Sequence, residues 1–463
     1  MKTFLKPYVK TFAGDTETPI TLYYKYVGQQ VGFLLESRGK GQYSFMGRCP
    51  NAILEGKEKL NIYENGVKTT KEGKLLDNVK EYIQEFQVKN DTQLPFIGGA
   101  VGCIAYDVIR QYEKLPEKNP DVLNMPDVHF MIVKEIVAYD HLHDRIHIIV
   151  LEEDTEEGSK KAYAKIETIQ CEIMKEKHPV LLEEKLQSNI DVVSNTTKEQ
   201  YTNMVKKAKK YIYDGDIFQV VLSQRLTAHT DENPFILYRK LREINPSPYL
   251  YYFNFGEYQI AGSSPEMLVE MRKNRIYNCP IAGTRKRGKN VEEDALFAQD
   301  LKNDPKEKAE HVMLVDLARN DMGKVSQIGS VEVTSFMNVQ NYSHVMHMVS
   351  MVEGNKSEKE DAFSVLASFL PAGTLSGAPK IRAMEIIEEL EQEKRGVYGG
   401  AVGYFSFDGD MDFCIAIRTM IIKDEKVYMQ AGAGIVADSD PEAEFEESHN
   451  KVRALVKTIG GNI

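Results

Sequence analysis

The chain has 463 residues, 42% hydrophobic and 27% charged content and a net charge of −11, which suits a globular protein with two or three ordinary domains or one large intertwined one. Negative charge without a basic cluster argues against nucleic acid and anionic membranes as partners. No apolar run reaches membrane-spanning length and Met1 to Pro7 holds no signal-peptide core, so a cytoplasmic protein is expected; cysteines 49, 103, 171, 279 and 414 are scattered, never CxxC, and read as reduced thiols.

In chain order, Thr18 to Val27 alternates like a strand, Val31 to Ser37 reads as a second strand and 42–47 as a third. Leu75 to Phe86 has helical spacing, and Asp91 to Pro95 is a linker. Gly98-Gly-Ala-Val-Gly102 recurs as Gly399-Gly-Ala-Val-Gly403, which suggests two related sheet halves facing each other. Residues 129–151 give strands around a turn at Asp140 to Asp144, and the charged stretch Glu152 to Ser194 is the best boundary. The chain therefore divides into an N-terminal region, 1–190, and a second region, 191–463, which Thr197 to Asp214 opens as a helix capped by Thr196 or Thr197.

Chemistry-bearing residues accumulate in the second region. Asp216 to Arg225 is a strand with Gln219 on one face, and Asn245-Pro-Ser-Pro248 is a rigid turn into the strand Tyr249 to Phe255. Gly262-Ser-Ser-Pro-Glu266 places a carboxylate at a tight turn, and Pro280-Ile-Ala-Gly-Thr284 a hydroxyl after another. Asp304-Pro305 and Asp440-Pro441 each read as N-cap followed by proline at the first helical position. Behind them stand Glu307 and Glu310, and Glu444 and Glu447, each pair at i,i+3 on one helix face. Four such carboxylates suit a hard cation such as Mg²⁺, while glutamates in a first turn also simply favour the helix dipole. The acidic runs 152–157 and 388–393 read as solvated faces. Gly373 to Lys380 resembles a phosphate-binding loop but is one residue short and has Pro before the Lys, which excludes nucleotide binding.

The C-terminal part reads as a meander: 402–407, then Phe413 to Met420, then Val427 to Val436. Arg418 is out of place there, since a guanidinium among apolar strands needs an anionic partner. Gly399, Gly400, Gly403, Gly432 and Gly434 are expected inside strands, where glycine marks a bulge or a close approach of backbone to ligand.

The set Pro280 to Thr284, Asp316-Leu-Ala-Arg-Asn-Asp321, Pro371-Ala-Gly-Thr-Leu-Ser-Gly-Ala-Pro-Lys380, Tyr398 to Tyr404 and Glu444-Phe-Glu-Glu447 resembles the chorismate-utilising enzymes, and within them the component I branch of the anthranilate synthases. The resemblance covers nearly the whole chain and implies a large two-lobed α/β (α+β) body, antiparallel sheets packed face to face with helices outside. It implies that Glu310 and Glu447 hold Mg²⁺, with Glu307 and Glu444 supporting through water. Arg418, Tyr398, Lys451 and backbone at Gly432 and Gly434 would bind substrate. Thr284 would bind the ring carboxylate, Glu266 would protonate the departing ring hydroxyl, and His347 would serve pyruvate elimination.

Two positions choose a branch by the same resemblance. Relatives that add water carry a lysine where Gln219 stands, whereas ammonia already has a free lone pair. Many aminodeoxychorismate synthases carry a lysine at the position of Ala282, which cannot act as a nucleophile. Anthranilate synthesis is thus the expected activity, with the aminodeoxychorismate reaction or an inactive tryptophan-sensing relative as alternatives. The chain contains no glutaminase, so ammonia would come from solution or from a separate glutamine amidotransferase subunit. Leu35, Glu36 and Ser37 with Pro248, Tyr249 and Leu250 match the family's feedback segment and would bind tryptophan. The absence of tryptophan from the chain suits an enzyme made when that amino acid is scarce.

Overall fold

Two sheets, of 13 and 12 strands, organise this computed structural model, which describes residues 2–37, 42–175, 190–341 and 345–462. Among the described strands pairing is antiparallel, except that Thr3–Ala13 runs parallel to Phe86–Val88; an isolated parallel bridge joins Ile190 and Gly461. The strand Gly32–Glu36 lies beside Tyr249–Asn254 in the larger sheet, and Gly99–Ile104 beside Ala401–Ser406 in the smaller. Each sheet takes strands from both sides of residue 190, so the regions 1–190 and 191–463 share one framework.

Alternation along the strands decides what lies between the sheets. Phe33, Phe45 and Phe253 from the larger sheet meet Phe130, Phe405 and Phe413 from the smaller in one buried cluster. Phe405 alone stacks on Phe363 at 4.1 Å and meets Phe413 at 4.8 Å; truncating such a ring to alanine costs about 3–5 kcal/mol. The helices Glu156–Ile173, Pro234–Ile244 and Pro441–Thr458 cover the outer face of the larger sheet through a second cluster. Leu75–Ile83, Pro305–Gly323 and Ala362–Phe369 pack against the smaller sheet. The expected α/β body with sheets face to face and helices outside is the observed one.

Four readings of the sequence change. Thr18 to Val27 is a helix, Pro19–Tyr26, rather than a strand: the Thr18 hydroxyl accepts from Thr21 N, Pro19 takes the first turn, and Ile20, Leu22, Tyr23 and Tyr26 fall on one buried face. The repeated Gly-Gly-Ala-Val-Gly segments do not face each other across the core. They are neighbours in the smaller sheet, with Gly102 opposite Gly403. The run 388–393 is not a solvated face: Glu388 accepts from Arg110 at 2.5 Å and from the backbone of Lys118 and Asn119, and Glu391 is buried against Arg395. Finally, Phe413 to Met420 is not one strand. Met411–Ile415 belongs to the smaller sheet and Thr419–Lys423 to the larger. The chain crosses between them at residues 416–418, with Arg418 in the left-handed region at φ 49°, a conformation that costs a non-glycine residue stability.

Candidate active site

A second crossing lies beside the first. The strand Gln259–Ser264 is in the larger sheet, Met267–Arg272 is in the smaller, and Pro265-Glu266 is the link. The crossings are laced together by Ile415 N donating to Glu266 O at 3.0 Å and Ser263 N donating to Arg418 O at 3.1 Å. A carboxyl and a guanidinium 152 positions apart thus share the gap between the sheets. Arg418 Nη1 donates to Asn245 Oδ1 at 3.3 Å, and no carboxylate of the described residues lies within ion-pair distance of it. Burial works against its positive charge and Glu266 works for it. Glu266 Oε1 accepts from Thr374 Oγ1 at 2.9 Å. Burial pushes this carboxyl up to about 7, against the opposing influence of Thr374, Lys451 and Arg418. A cavity lined by Glu266, Thr374, Asp321, Cys279, Leu314 and Phe369 opens beside Glu266.

Both expected helix starts are present. Asp304 accepts from the backbone of Lys306 and Glu307, and Asp440 from Glu442 and Ala443. The two starts lie close enough for their charges to act on one another. Glu310 is raised by burial, then by Glu307, and also by Glu447; Glu444 is raised by burial and by Glu447. Glu307 accepts from Arg285 at 3.0 Å, and Glu447 from Lys451 at 2.7 Å. Lys451 acts on Glu266, Glu310 and Glu444 alike, so it stands among all of them. Among the described residues no group of three Asp, Glu, His or Cys side chains is gathered closely enough to hold a metal alone. The donors present, two pairs of carboxylates of which Glu307 and Glu447 already carry a cationic partner, match an ion that keeps several waters and takes one or two protein ligands.

Thr284 and His347 are register partners in adjacent strands. The bulge that aligns them is at Gly283, φ 67°, where a Cβ would come within 2.9 Å of Glu307. His347 Nδ1 lies 2.9 Å from Gly283 O and 3.1 Å from Thr284 Oγ1. A carbonyl only accepts, so Nδ1 carries the proton and Nε2 the lone pair in the neutral ring. Burial lowers the pKa of this histidine.

Gln219 opens the strand Gln219–His229 and is 7% exposed. Its amide lies over Gly434, where a Cβ would meet Nε2 at 2.6 Å. The five glycines therefore have different reasons. Gly434 makes room for Gln219, while at Gly403 and Gly432 a Cβ would meet carbonyls of neighbouring strands at 2.0 and 2.4 Å. Gly399 and Gly400 are not in a strand; they form the turn after buried Tyr398, with Gly399 at φ 77° and its N–H on Ala416 O at 3.0 Å. Ala282 is buried opposite Met348.

The segments holding Leu35, Glu36 and Ser37 and Pro248, Tyr249 and Leu250 do meet, with Glu36 opposite Leu250 and Leu35 opposite Tyr251. Glu36 is buried, and its carboxylate accepts two bonds of 2.8 Å from Arg242 and one from Tyr238. Tyr249 donates across to Asp412 at 3.0 Å. Asn245, which begins this turn, is the residue bonded to Arg418. Sequence reasoning missed Asn245, Thr374 and Arg395: each stands in a quoted or adjacent segment, but only folding brings its partner near.

Residues 31–457 match the family described as chorismate binding enzyme. The chain belongs to the chorismate binding enzymes. It is 51% identical over 460 residues to anthranilate synthase component 1 of Acetivibrio thermocellus, covering 96% of this chain and 93% of that one, and 46% identical to that of Aquifex aeolicus, covering 96% and 92%. The crystal structure of anthranilate synthase component I from Streptococcus pneumoniae superposes with a TM-score of 0.78 at 39% identity, covering 96% of this chain and 98% of that one. This chorismate binding enzyme thus acts on chorismate and shares the mixed architecture of that neighbour. No helix among its described residues is long and apolar enough to cross a membrane.

Proposed function

We propose that the chain is the chorismate-aminating component of an anthranilate synthase: chorismate and ammonia give anthranilate, pyruvate and water. The single observation that carries this reading is Glu266, a carboxyl pushed up to about 7 beside Arg418, which lacks a carboxylate partner among the described residues. A proton donor poised near neutrality beside a free anion site is what removal of a hydroxyl from a dianion requires.

Arg418, with Tyr398 and the backbone at Gly432 and Gly434, binds the enolpyruvyl carboxylate; Thr284 and Lys451 bind the ring carboxylate. Glu310 and Glu447 would hold Mg²⁺, with Glu307 and Glu444 supporting through water, and the ion would supply Lewis-acid activation of the substrate. Gln219, neutral and fixed over Gly434, orients ammonia, which needs no base because its lone pair is free. Nitrogen bonds to ring carbon 2, the ring double bonds shift, and the carbon 4 hydroxyl leaves as water with the proton of Glu266. The new ammonium group at carbon 2 returns a proton to Glu266; His347 Nε2 then takes the proton from carbon 2 as the ether bond at carbon 3 breaks, leaving an aromatic ring and enolpyruvate, which becomes pyruvate by taking a proton at its methylene carbon. Ala282 supports direct amination, because it offers no nucleophile.

Ammonia is delivered by a separate glutamine amidotransferase, in keeping with the designation of the relatives as component 1. Tryptophan inhibits by binding where Glu36 and Ser37 meet Pro248 and Tyr249, its ammonium sharing Glu36 with Arg242. The Asn245 turn, bonded to Arg418, supports communication from there to the substrate carboxylate. Incubating the pure chain with chorismate, Mg²⁺ and ammonium salt at alkaline pH tests the reading: blue-fluorescent anthranilate forms and excess chelator stops it. No product, or product undiminished by chelator, contradicts it.

A further inference from the structure

Behind the site lies a guanidinium that the chemistry above does not use. Arg395 is 2% exposed. Its Nε and Nη2 donate to Glu391 at 2.9 and 2.5 Å, and Glu391 also accepts from Ser223 N and Oγ at 2.7 and 2.8 Å. The same guanidinium donates to the carbonyls of Leu375, at 2.6 Å, and Val221, at 2.7 Å. Its carbon lies 4.8 Å from the ring centroid of Tyr106 and 5.6 Å from that of Tyr398. A planar fork can make these bonds at fixed angles; a lysine ammonium cannot.

Three of these contacts lead to a group at the site. Leu375 follows Thr374, the donor to Glu266. Val221 is two residues beyond Gln219, and its N–H donates to Ser376 O at 2.9 Å. Gln219 and Val220 pair with Ala378 and Gly377, so the loop and strand are joined beside the guanidinium that holds their carbonyls. Tyr398 is the third. We propose that Arg395 is a positioning residue, which sets Thr374 against Glu266, Gln219 over Gly434 and the ring of Tyr398 in one geometry. This rests on the reading of Glu266 as the proton donor.

Thr374 lowers the pKa of Glu266 together with Lys451 and Arg418; Asp321, on the same cavity, is paired with Lys324 and Lys380. Slackening the Thr374 bond therefore moves Glu266 upward. Arg395→Lys is expected to lower kcat roughly 10- to 100-fold with KM changed by less than about 3-fold. It also shifts the limb of the pH profile that reports Glu266 to higher pH. Thr374→Val gives the same shift of that limb, and the double variant adds little further to the shift, because both act on Glu266 through one bond. Glu391→Gln, which keeps the volume and frees one side of the guanidinium, reads the same quantities if Arg395→Lys fails to fold. A variant with lowered thermal stability but unchanged kcat and pH limb, or limb shifts that are fully additive, overturns the proposal. Wild-type protein that makes no product overturns the reading beneath it instead.

Discussion

Arg418→Met separates the two things a buried cation does. The residue sits at φ 49°, and methionine keeps a non-glycine side chain of similar length there, so backbone strain cancels between variant and parent. In the free protein the arginine has one long bond to Asn245, and burial works against its charge. Removing the charge relieves that cost, so stability should rise by about 1 kcal/mol, or roughly 1–3 °C in Tm for a chain of this size. The substrate pays the opposite sign. Two charge-assisted hydrogen bonds to a carboxylate are worth about 3 kcal/mol or more together, which is roughly 150-fold in kcat/KM. Glu266, no longer facing the cation, should titrate higher. The assay is calorimetric unfolding alongside chorismate kinetics across pH. Loss of stability with unchanged KM would mean that Arg418 is a structural residue and that its anion is already in the protein.

Glu310→Gln or Glu447→Gln should abolish Mg²⁺-dependent turnover while circular dichroism and Tm stay near the parent values; full activity in either variant refutes the metal assignment. Glu266→Gln should abolish turnover and change stability in a pH-dependent way. Its folded pKa is raised to about 7, so the native state binds more protons than the unfolded chain between about 4.5 and 7, and stability falls as pH rises through that window. The variant should therefore melt higher than the parent at pH 8 but not at pH 4.5, and equal melting at both would show that the carboxyl is not held near neutrality. Ser37→Phe should remove inhibition by micromolar-to-millimolar tryptophan and spare catalysis; inhibition that persists means that the strand merely ends there.

What the sequence disclosed were elements whose signals are local. Asp-Pro helix starts, the Thr197 cap and the hairpin at Asp140 each depend on side chains within a few residues, and all of them formed as expected. The Pro19–Tyr26 helix was concealed because Thr18 and Pro19 act on backbone geometry that alternation does not display. The turn at Glu266 was legible from Gly262-Ser-Ser-Pro-Glu266, and Arg418 stood out among apolar neighbours. That the chain passes from one sheet to the other at both places was hidden, because only the packing of the two sheets decides where it crosses. The same crossings bring Glu266, Thr374, Arg418 and Asn245 together from four segments. The paired glutamates could be located on their helices, but that the two helix starts lie close together is a tertiary fact. The fate of 388–393 shows the converse, since half-buried Arg110 and buried Arg395 draw Glu388 and Glu391 of a run that looks solvated into the core, while Glu389 and Gln392 stay exposed.

Amination of chorismate at carbon 2 is the central claim, and the position of the new bond tests it most directly. Protein supplied with chorismate, Mg²⁺ and ¹⁵N-ammonium should yield pyruvate and an aromatic product whose ¹⁵N couples to the carbon beside the carboxyl-bearing one, as in anthranilate. Label at carbon 4, or a hydroxylated product without label, would contradict the account.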